Sequence, residues 1–434
     1  MGRNDYDALD QHHNVRLTFQ SKPGHEDLRR LGEKLLIPLK ITNVSTIQRV
    51  GVVKYAGGKF WEDRLQRPVD IYSKFKNEGP DMYSQEKGSP GELRANQTFV
   101  VVETDEEGVS GIAGPIGAPA GEVETSFINA VLKPALIGEN PLAVERVWDI
   151  MYRFAVHGRK GDSMMAISAV DCAIWDLVGK YYRRPVFELL GGTTRDSVPA
   201  YASMLGFSLN PEDVAKRSAE FAEKGFIAMK WFMKYGPSDG IKGEELNVEV
   251  VKAVRDAVGY DVKLMLDCWM SWGVNYTVRM ARKLQRYEIE WIEEPVMPDD
   301  VEGYVEIRRQ AGIPISGGEH EYTRWGFKQL FEKKAVDVAQ PDIMWAGGIS
   351  ETVKICALAS SYGIPVVPHT GVMATTLNLL FSKPPALCPI AEYLVKWNAV
   401  NQVLFKTKLV PSGGNFIAPQ VAGLGIELNS QDLM

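Results

Sequence analysis

Cysteine is scarce in this chain of 434 residues, which has 4 of them. They lie at Cys172, Cys268, Cys356 and Cys388, without a C-x-x-C pair or another short spacing. Disulfide frameworks and cysteine-based zinc sites depend on such spacings. The sequence therefore predicts neither of them, and it favours a reducing, cytoplasmic compartment.

The chain also lacks a strong excess of charge of one sign. It has 49 Lys and Arg against 55 Asp and Glu, a formal net charge of -6. Nucleic acids and anionic membranes attract strongly basic surfaces, so neither is an expected partner. No run of about 18 apolar residues is present, and the first residues, MGRNDYDALDQHHNVRL, contain no apolar signal segment. With 45% hydrophobic and 24% charged residues, the composition is typical of a folded, soluble protein.

The N-terminal part of the chain mixes strand and helix patterns. Residues 1–40 are polar and show no sustained period, which predicts an arm or loop. Two β-rich runs follow at residues 41–53 and 98–103. Residues 122–182 then contain three helical stretches, the clearest being SMMAISAVDCAIWDLVGKYY. We expect residues 1–182 to form an arm and an α+β domain.

From residue 198 onward the pattern becomes regular. Eight short β-rich runs alternate with amphipathic helical runs: VPAYASM, IAMKWF, VKLMLD, IEWIEE, IPISGGE, VDVAQPD, IPVVPH and IAEYLV. Alternation of this kind predicts a parallel α/β sheet, and eight units predict a (β/α)8-type barrel, here over residues 183–400. A doubly wound open sheet is the alternative, but no G-x-G-x-x-G follows any strand. Residues 401–434 are left as a C-terminal segment.

Acidic residues and one histidine end successive strands of the predicted barrel. The ends of strands three to seven carry Asp267, Glu293 with Glu294, Glu319, Asp342 and His369. Counted from Asp267 through Glu293, the intervals are 26, 26, 23 and 27 residues. Because reactive groups lie at the C-terminal ends of barrel strands, these side chains should converge.

Carboxylates that converge without compensation repel one another, so a divalent cation is the natural occupant. Oxygen ligands favour Mg²⁺, or Mn²⁺ as a substitute, over zinc. A lone acid after a strand is usually a helix cap, but three successive units make that interpretation weak. Neighbouring strand residues point to opposite faces, and the period alone cannot choose between Glu293 and Glu294.

Several motifs together resemble one family. They are VDCAIWDLVGK, LLGG, KLMLDCWMSWGVNY, WIEEP, SGGEH, QPDIMWAGGI and VVPH. After about residue 98 the chain resembles the mandelate racemase subgroup of the enolase superfamily, and within it the L-rhamnonate dehydratases and related acid-sugar dehydratases. The resemblance implies an N-terminal capping domain completed by the C-terminal segment, and assembly as a homo-oligomer. It also implies Asp267, Glu293 and Glu319 as the metal ligands.

The predicted catalytic groups are His369, Asp342, Lys230 and Glu392. A carboxylate beside an imidazole fixes its tautomer and supports its protonated form, so we expect Asp342 to orient His369 as the base. Glu392 matches the family's acid that hydrogen-bonds the substrate carboxylate. Racemases of the subgroup carry K-x-K on strand two, whereas this chain has Lys230, Trp231 and Phe232. The missing second lysine favours dehydration by a single base over racemisation.

The resemblance implies dehydration of a sugar acid, with L-rhamnonate as the first choice. L-Lyxonate or L-mannonate, an epimerase or cycloisomerase reaction, and a catalytically idle binding barrel remain alternatives. Candidate substrate contacts are His25, Arg64, Arg94 and Trp269, although Trp269 also suits barrel packing. His320 follows a predicted ligand and is expected to point away from the metal.

Overall fold

The computed structural model describes residues 38–76, 85–87, 91–116 and 121–429. Predictions for residues 1–37, including the arm and His25, lie outside the described residues. In the described ranges, no helix is both long enough and apolar enough to cross a membrane.

An antiparallel sheet forms the N-terminal part of the described chain. Strand β1 (Ile41–Lys54) pairs with β3 (Glu92–Thr104), which also pairs with β2 (Gln85–Lys87) and β4 (Ser110–Ala113). Both predicted strand runs lie within β1 and β3.

The helices of this region are α1 (Ser73–Lys76), α2 (Glu122–Phe127), α3 (Lys133–Leu136), α4 (Val144–Phe154), α5 (Asp162–Tyr182) and α6 (Val186–Leu189), with a π-helical turn at Ile128–Leu132. Of these, α3 contacts β1, and α5 contacts β3 and β4. Helix α5 is apolar and buried along most of its length, because the sheet, other helices and the barrel surround it.

Two aspartates of the VDCAIWD motif in α5 connect distant parts of the fold. Asp176 accepts hydrogen bonds from the backbone N–H of Ile112 on β4, at 2.9 Å, and of Leu424 near the C-terminus, at 2.8 Å. Asp171 accepts from the backbone N–H of Ser350, at 3.0 Å, and from its hydroxyl, at 2.6 Å. Since Ser350 lies in the first turn of a barrel helix, α5 joins the capping region, the barrel and the C-terminal segment.

A curled parallel sheet follows. Its strands are β5 (Ser197–Ser203), β6 (Ala228–Phe232), β7 (Lys263–Asp267), β8 (Ile289–Glu293), β9 (Ile315–Gly317), β10 (Val338–Ala339) and β11 (Ala391–Leu394). The order is β10-β9-β8-β7-β6-β5-β11. The predicted fold class, a barrel-type α/β sheet with an N-terminal α+β region, is confirmed.

The seventh predicted strand, IPVVPH, is shorter than expected. It contributes a single parallel bridge, between Val366 and Ala339. Pro365 and Pro368 flank this bridge, and proline has no N–H to donate to a ladder. The segment therefore lies beside β10 without forming a regular strand.

Helices follow the strands along the chain. They are α7 (Pro211–Glu223), α8 (Gly240–Val258), α9 (Val274–Leu284), α10 (Val301–Ala311), α11 (Thr323–Glu332), α12 (Gly348–Ser361), α13 (Met373–Ser382) and α14 (Val395–Asn401), with 3-10 turns at Pro68–Ile71, Pro237–Asp239 and Gln285–Tyr287. Helix α8 buries Val250, Val251 and Val254.

The C-terminal segment touches both regions. Strand β12 (Asn415–Ile417) pairs antiparallel with β5, and the ring of Phe405 lies 6.2 Å from that of Phe99 on β3. These contacts agree with a segment that returns to the capping region. The division into residues 1–182, 183–400 and 401–434 stays a prediction.

We predict that Asp176→Ala lowers the free energy of unfolding by about 2–4 kcal/mol, because the half-buried N–H of Ile112 and the buried N–H of Leu424 lose their acceptor. Chemical denaturation measures the loss. The control is Asp149→Ala, which removes an exposed helical ion pair with Arg153 and should change stability by less than about 0.5 kcal/mol. Equal losses in the two variants would contradict the connecting role of Asp176.

Candidate active site

A cavity of about 280 Å³ lies at the C-terminal ends of the barrel strands, beneath the capping sheet. Its charged wall comes from the barrel and includes Lys230, Asp267, Glu319 and His369. The rest of its lining is largely apolar and amide-bearing, with Phe232, Ile116, Gln97, Trp397 and Asn401, and it also includes Arg64 and Arg67. Three of the predicted strand-end residues, Asp267, Glu319 and His369, thus border one cavity.

Lys230 forms ion pairs with three carboxylates at the charged wall. Its ammonium group lies 3.1 Å from Oδ2 of Asp267 and 2.8 Å from Oε1 of Glu392, and it also donates a hydrogen bond to Glu293. Burial alone would lower the pKa of Lys230, but these carboxylates outweigh it and hold the pKa well above its usual value. Lys230 is therefore a permanent buried cation.

Glu293 is held by three donors. One oxygen accepts from Lys230; the other accepts from the indole of Trp291 at 3.1 Å and from the amide of Gln340 at 2.7 Å. Glu293 is also the register partner of Asp267 across β7 and β8. Burial raises the pKa of Glu293 to about 8 and also raises that of Asp267. Lys230 alone therefore does not supply enough positive charge for both acids.

Glu319 belongs to a second group of possible ligands. Burial raises its pKa to about 7. Within the described ranges, the potential ligand atoms of Glu294, Glu319 and His320 lie within 4.8 Å of one another. Nδ1 of His320 is 2.8 Å from Oε2 of Glu294. The structure thus brings His320 to the site, where the sequence predicted it to point away, and it keeps both Glu293 and Glu294 close to Asp267 and Glu319.

His369 and Asp342 form the predicted pair. Nδ1 of His369 lies 2.7 Å from Oδ2 of Asp342, which is fixed in turn by the backbone N–H groups of Gly371 and Met344 at 3.0 and 2.6 Å. The second ring nitrogen, Nε2, lies 3.4 Å from Oε1 of Glu319. Burial lowers the pKa of His369, but the charge of Glu319 and the bond to Asp342 outweigh it and raise the pKa to about 10.

The donor set fits a hard divalent cation. Asp267, Glu293 and Glu319 offer carboxylate oxygens, the ligands that Mg²⁺ prefers. Their raised pKa values show that burial disfavours their negative charge more than the neighbouring cations compensate. A bound cation would favour the ionised forms.

Backbone strain accompanies these strand ends. Trp269, Met270 and Glu294 have positive φ angles of 39°, 63° and 40°, which non-glycine residues rarely adopt. Glu294 directly follows the end of β8, and Trp269 and Met270 lie two and three residues after Asp267, which ends β7. Strained backbone of this kind concentrates at functional sites, where the surrounding structure must hold it in place.

The predicted substrate contacts have different outcomes. Trp269 lines the cavity and packs edge-on against His320, with ring centres 5.8 Å apart. Arg64 lines it as well, and its guanidinium is bonded to Asp70 and to the backbone carbonyl of Lys76.

Two other predicted residues do not face the cavity. Arg94 is exposed: the alternation of β3 buries its neighbours Leu93 and Ala95 and turns Arg94 to the other side, so its selection as a substrate contact is corrected. Glu392 is fully buried; one oxygen meets Lys230 and the other accepts from the backbone N–H of Thr370 at 3.0 Å.

Sequence reasoning missed several lining or supporting residues: Gln97, Gln340, Trp397 and Asn401. Gln340 lies two residues before Asp342, and Trp397 and Asn401 lie in the helix after β11. Because these three residues lie close in the sequence to predicted strand ends, their positions could have identified them as site residues. Nothing in the sequence marks Gln97, which comes from the capping sheet.

Comparison with known proteins identifies the class to which this fold and site belong. The family described as Enolase C-terminal domain-like matches residues 213–433, and the Mandelate racemase / muconate lactonizing enzyme, N-terminal domain, matches residues 91–191. The chain belongs to the enolase superfamily, in its mandelate racemase and muconate lactonizing enzyme group.

Individual relatives agree with this assignment. The chain is 36% identical over 343 residues to an L-rhamnonate dehydratase of Saccharopolyspora erythraea, which covers 77% of this chain and 84% of the relative. A rhamnonate dehydratase from Gibberella zeae complexed with Mg is 27% identical, with a TM-score of 0.74 over 92% of this chain and 96% of that one. A 3,6-anhydro-D-galactonate cycloisomerase from Zobellia galactanivorans is 30% identical, with a TM-score of 0.71 over 91% and 98%.

We predict that Lys230→Met lowers the unfolding free energy of the metal-free protein by about 3–5 kcal/mol, because it leaves buried carboxylates without their shared cation. Denaturation in the presence of a chelator measures this. Lys263→Met, which breaks a surface pair with Glu290, is the matched control and should cost less than about 1 kcal/mol. A Lys230→Met variant as stable as its control would show that the cluster does not need this cation.

Proposed function

We propose that this protein is a Mg²⁺-dependent sugar-acid dehydratase. It removes the proton α to the carboxylate and eliminates the 3-hydroxyl, giving a 2-keto-3-deoxy acid. The observation that carries the proposal is the His369–Asp342 pair in the same cavity as a buried cluster of carboxylates around Lys230. The names of the relatives support the reaction and the substrate class.

Asp267, Glu293 and Glu319 are the proposed ligands of the cation. Mn²⁺ is a chemically similar substitute for Mg²⁺ at oxygen ligands. A bound Mg²⁺ would supply positive charge for the substrate carboxylate and for the negative charge that builds on it when the α proton leaves. Lys230 and the fixed backbone around the site hold these acids in place before the cation binds.

His369 is the proposed base. The charge of Glu319 is the largest cause that raises the pKa of His369, so a cation held by Glu319 would lower that pKa and favour the neutral ring. In the neutral ring Nδ1–H donates to Asp342, which leaves Nε2 free to accept the α proton. The resulting imidazolium is stabilised by Asp342 and returns its proton to the departing 3-hydroxyl, which leaves as water. One histidine thus carries the proton through both steps.

Lys230 assists from the same charged wall, with Glu392 behind it. Lys230 lines the cavity, and its positive charge supports the negative charge of the substrate. Lys230 holds the pKa of Glu392 below its usual value despite the burial of Glu392. Glu392 is then an acceptor that positions Lys230, and does not itself donate a hydrogen bond to the substrate carboxylate. Phe232, also in the lining, offers no second base.

L-Rhamnonate is the proposed substrate, with L-mannonate and L-lyxonate as related alternatives. The similarity to a cycloisomerase, at 30% identity, makes cycloisomerisation the second candidate reaction. Both reactions begin with removal of a proton, so the product distinguishes them. The cytoplasmic location and the homo-oligomeric state stay predictions.

We predict that Mg²⁺ raises the melting temperature of the metal-free protein, by the equivalent of about 2.7 kcal/mol at a concentration a hundred times its Kd. Asp267→Asn, Glu293→Gln and Glu319→Gln should lose this shift, and the surface variant Glu290→Gln should keep it. Glu294→Gln should also keep it. A shift that is lost in Glu294→Gln and kept in Glu293→Gln would replace Glu293 with Glu294 in the ligand set.

We predict that the purified protein with MgCl₂ converts L-rhamnonate to a keto acid, detected as a semicarbazone and identified by NMR. His369→Asn should lower the rate by about 10²–10⁴-fold. The control, His157→Asn, changes an exposed histidine and should retain full activity. No turnover of L-rhamnonate, L-mannonate or L-lyxonate, together with turnover of 3,6-anhydro-D-galactonate, would favour the cycloisomerase.

A further inference from the structure

We propose that Gln97 is a specificity-determining residue, whose side-chain carbonyl accepts a hydrogen bond from a distal hydroxyl group of the sugar-acid chain. The inference rests on the proposed function, because it assumes a polyhydroxylated carboxylate in the cavity. It assigns a role in substrate choice to the capping sheet, through a residue that has no part in the proton transfers.

The orientation of the Gln97 amide is fixed by its protein partner. Gln97 lies on β3, is 3% exposed and lines the cavity. Its Nε2 donates to the backbone carbonyl of Val400, at 2.6 Å. A backbone carbonyl only accepts, so the NH₂ group must face Val400 and the amide oxygen must face elsewhere.

The oxygen of this amide is the unused group. In the described part of the chain, Oε1 of Gln97 is buried and has no hydrogen-bond partner. Buried acceptors are nearly always paired, because their transfer out of water is unfavourable when no donor replaces the water. Because Gln97 lines the cavity, the donor that this oxygen lacks is assigned to a ligand in that cavity.

Asn401, on a different element, also donates its side-chain NH₂ group to a backbone carbonyl. It lies at the end of α14 and lines the same cavity, and its Nδ2 donates to the backbone carbonyl of Gly371 at 2.7 Å. Its amide oxygen is thereby left as an acceptor. Two amides of the lining thus use their donors on the protein and keep their acceptors.

The chemistry of the lining selects a hydroxyl as the ligand group. Lys230 and His369 are at the barrel wall, where the acid end of the substrate belongs. Around Gln97, the lining residues Ala95, Ile116 and Val400 offer apolar side chains. An amide oxygen in such surroundings repels a carboxylate and pairs with an O–H donor. The hydroxyls of the distal chain, at C4 or C5, are the donors that a sugar acid carries away from its reacting carbons.

The test compares L-rhamnonate with its 4-deoxy and 5-deoxy analogues. In the unchanged protein, kcat/KM for L-rhamnonate should exceed that for one of the two analogues by about 10- to 100-fold, the range expected for one buried hydrogen bond. In Gln97→Met, which is similar in size, this ratio should fall close to one, because L-rhamnonate loses a hydrogen bond that this analogue never makes, while the other analogue loses it together with L-rhamnonate.

A purely structural role, or an ordered water as the only partner of Oε1, would lower kcat/KM for all three substrates by the same factor and leave the ratio unchanged. That result would overturn the proposal. Gln48→Met is the matched control: it makes the same substitution at an exposed position of the neighbouring strand β1, and its ratios should equal those of the unchanged protein.

A binding measurement separates this inference from the proposed function. If the unchanged protein dehydrates no sugar acid, the proposed function fails, and the melting-temperature shift caused by L-rhamnonate becomes the readout. A shift that Gln97→Met loses and Gln48→Met keeps would still support the role of Gln97. The same shift in both variants, or no shift in the unchanged protein, would overturn it.

Discussion

The ammonium group of Lys230 among buried carboxylates is the interaction on which the rest of the site depends. Asp267, Glu293 and Glu392 have almost no access to water, and their negative charges must be balanced inside the protein. Lys230 supplies one positive charge, and the raised pKa values of Asp267 and Glu293 show that more is needed. This deficit of positive charge supports the divalent cation that we propose at this end of the barrel.

The same constraint explains the polar groups around the cluster. Gln340 and Trp291 donate to Glu293, and the backbone N–H of Thr370 donates to Glu392. These donors use the oxygens that Lys230 does not reach, so each carboxylate keeps one orientation. A reaction that builds negative charge benefits from groups that are already oriented, because they need not reorganise as the charge forms.

Regular strand and helix units made much of the fold and the charged wall predictable from the sequence. Asp267, Glu319, Asp342 and His369 each end one unit, so their convergence follows from the barrel itself, even where two prolines reduce the strand before His369 to a single bridge. The choice between Glu293 and Glu294 lies beyond such reasoning, because the backbone leaves the strand geometry at Glu294 with a φ of 40°. Gln97 and Asn401 lie beyond it as well, since only the packing of β3 and α14 over the barrel brings them to the cavity.

The hydrogen bonds of Asp176 also affect the order in which the protein folds during its synthesis. A ribosome releases the chain from its N-terminus, so helix α5 and strand β4 emerge long before Leu424. Until Leu424 emerges, one oxygen of Asp176 has no backbone donor from the C-terminal segment, and β5 has no antiparallel neighbour until β12 appears. The contacts that join the first half of the chain to the C-terminal segment therefore form last, after the residues around Phe416 and Leu424 have emerged.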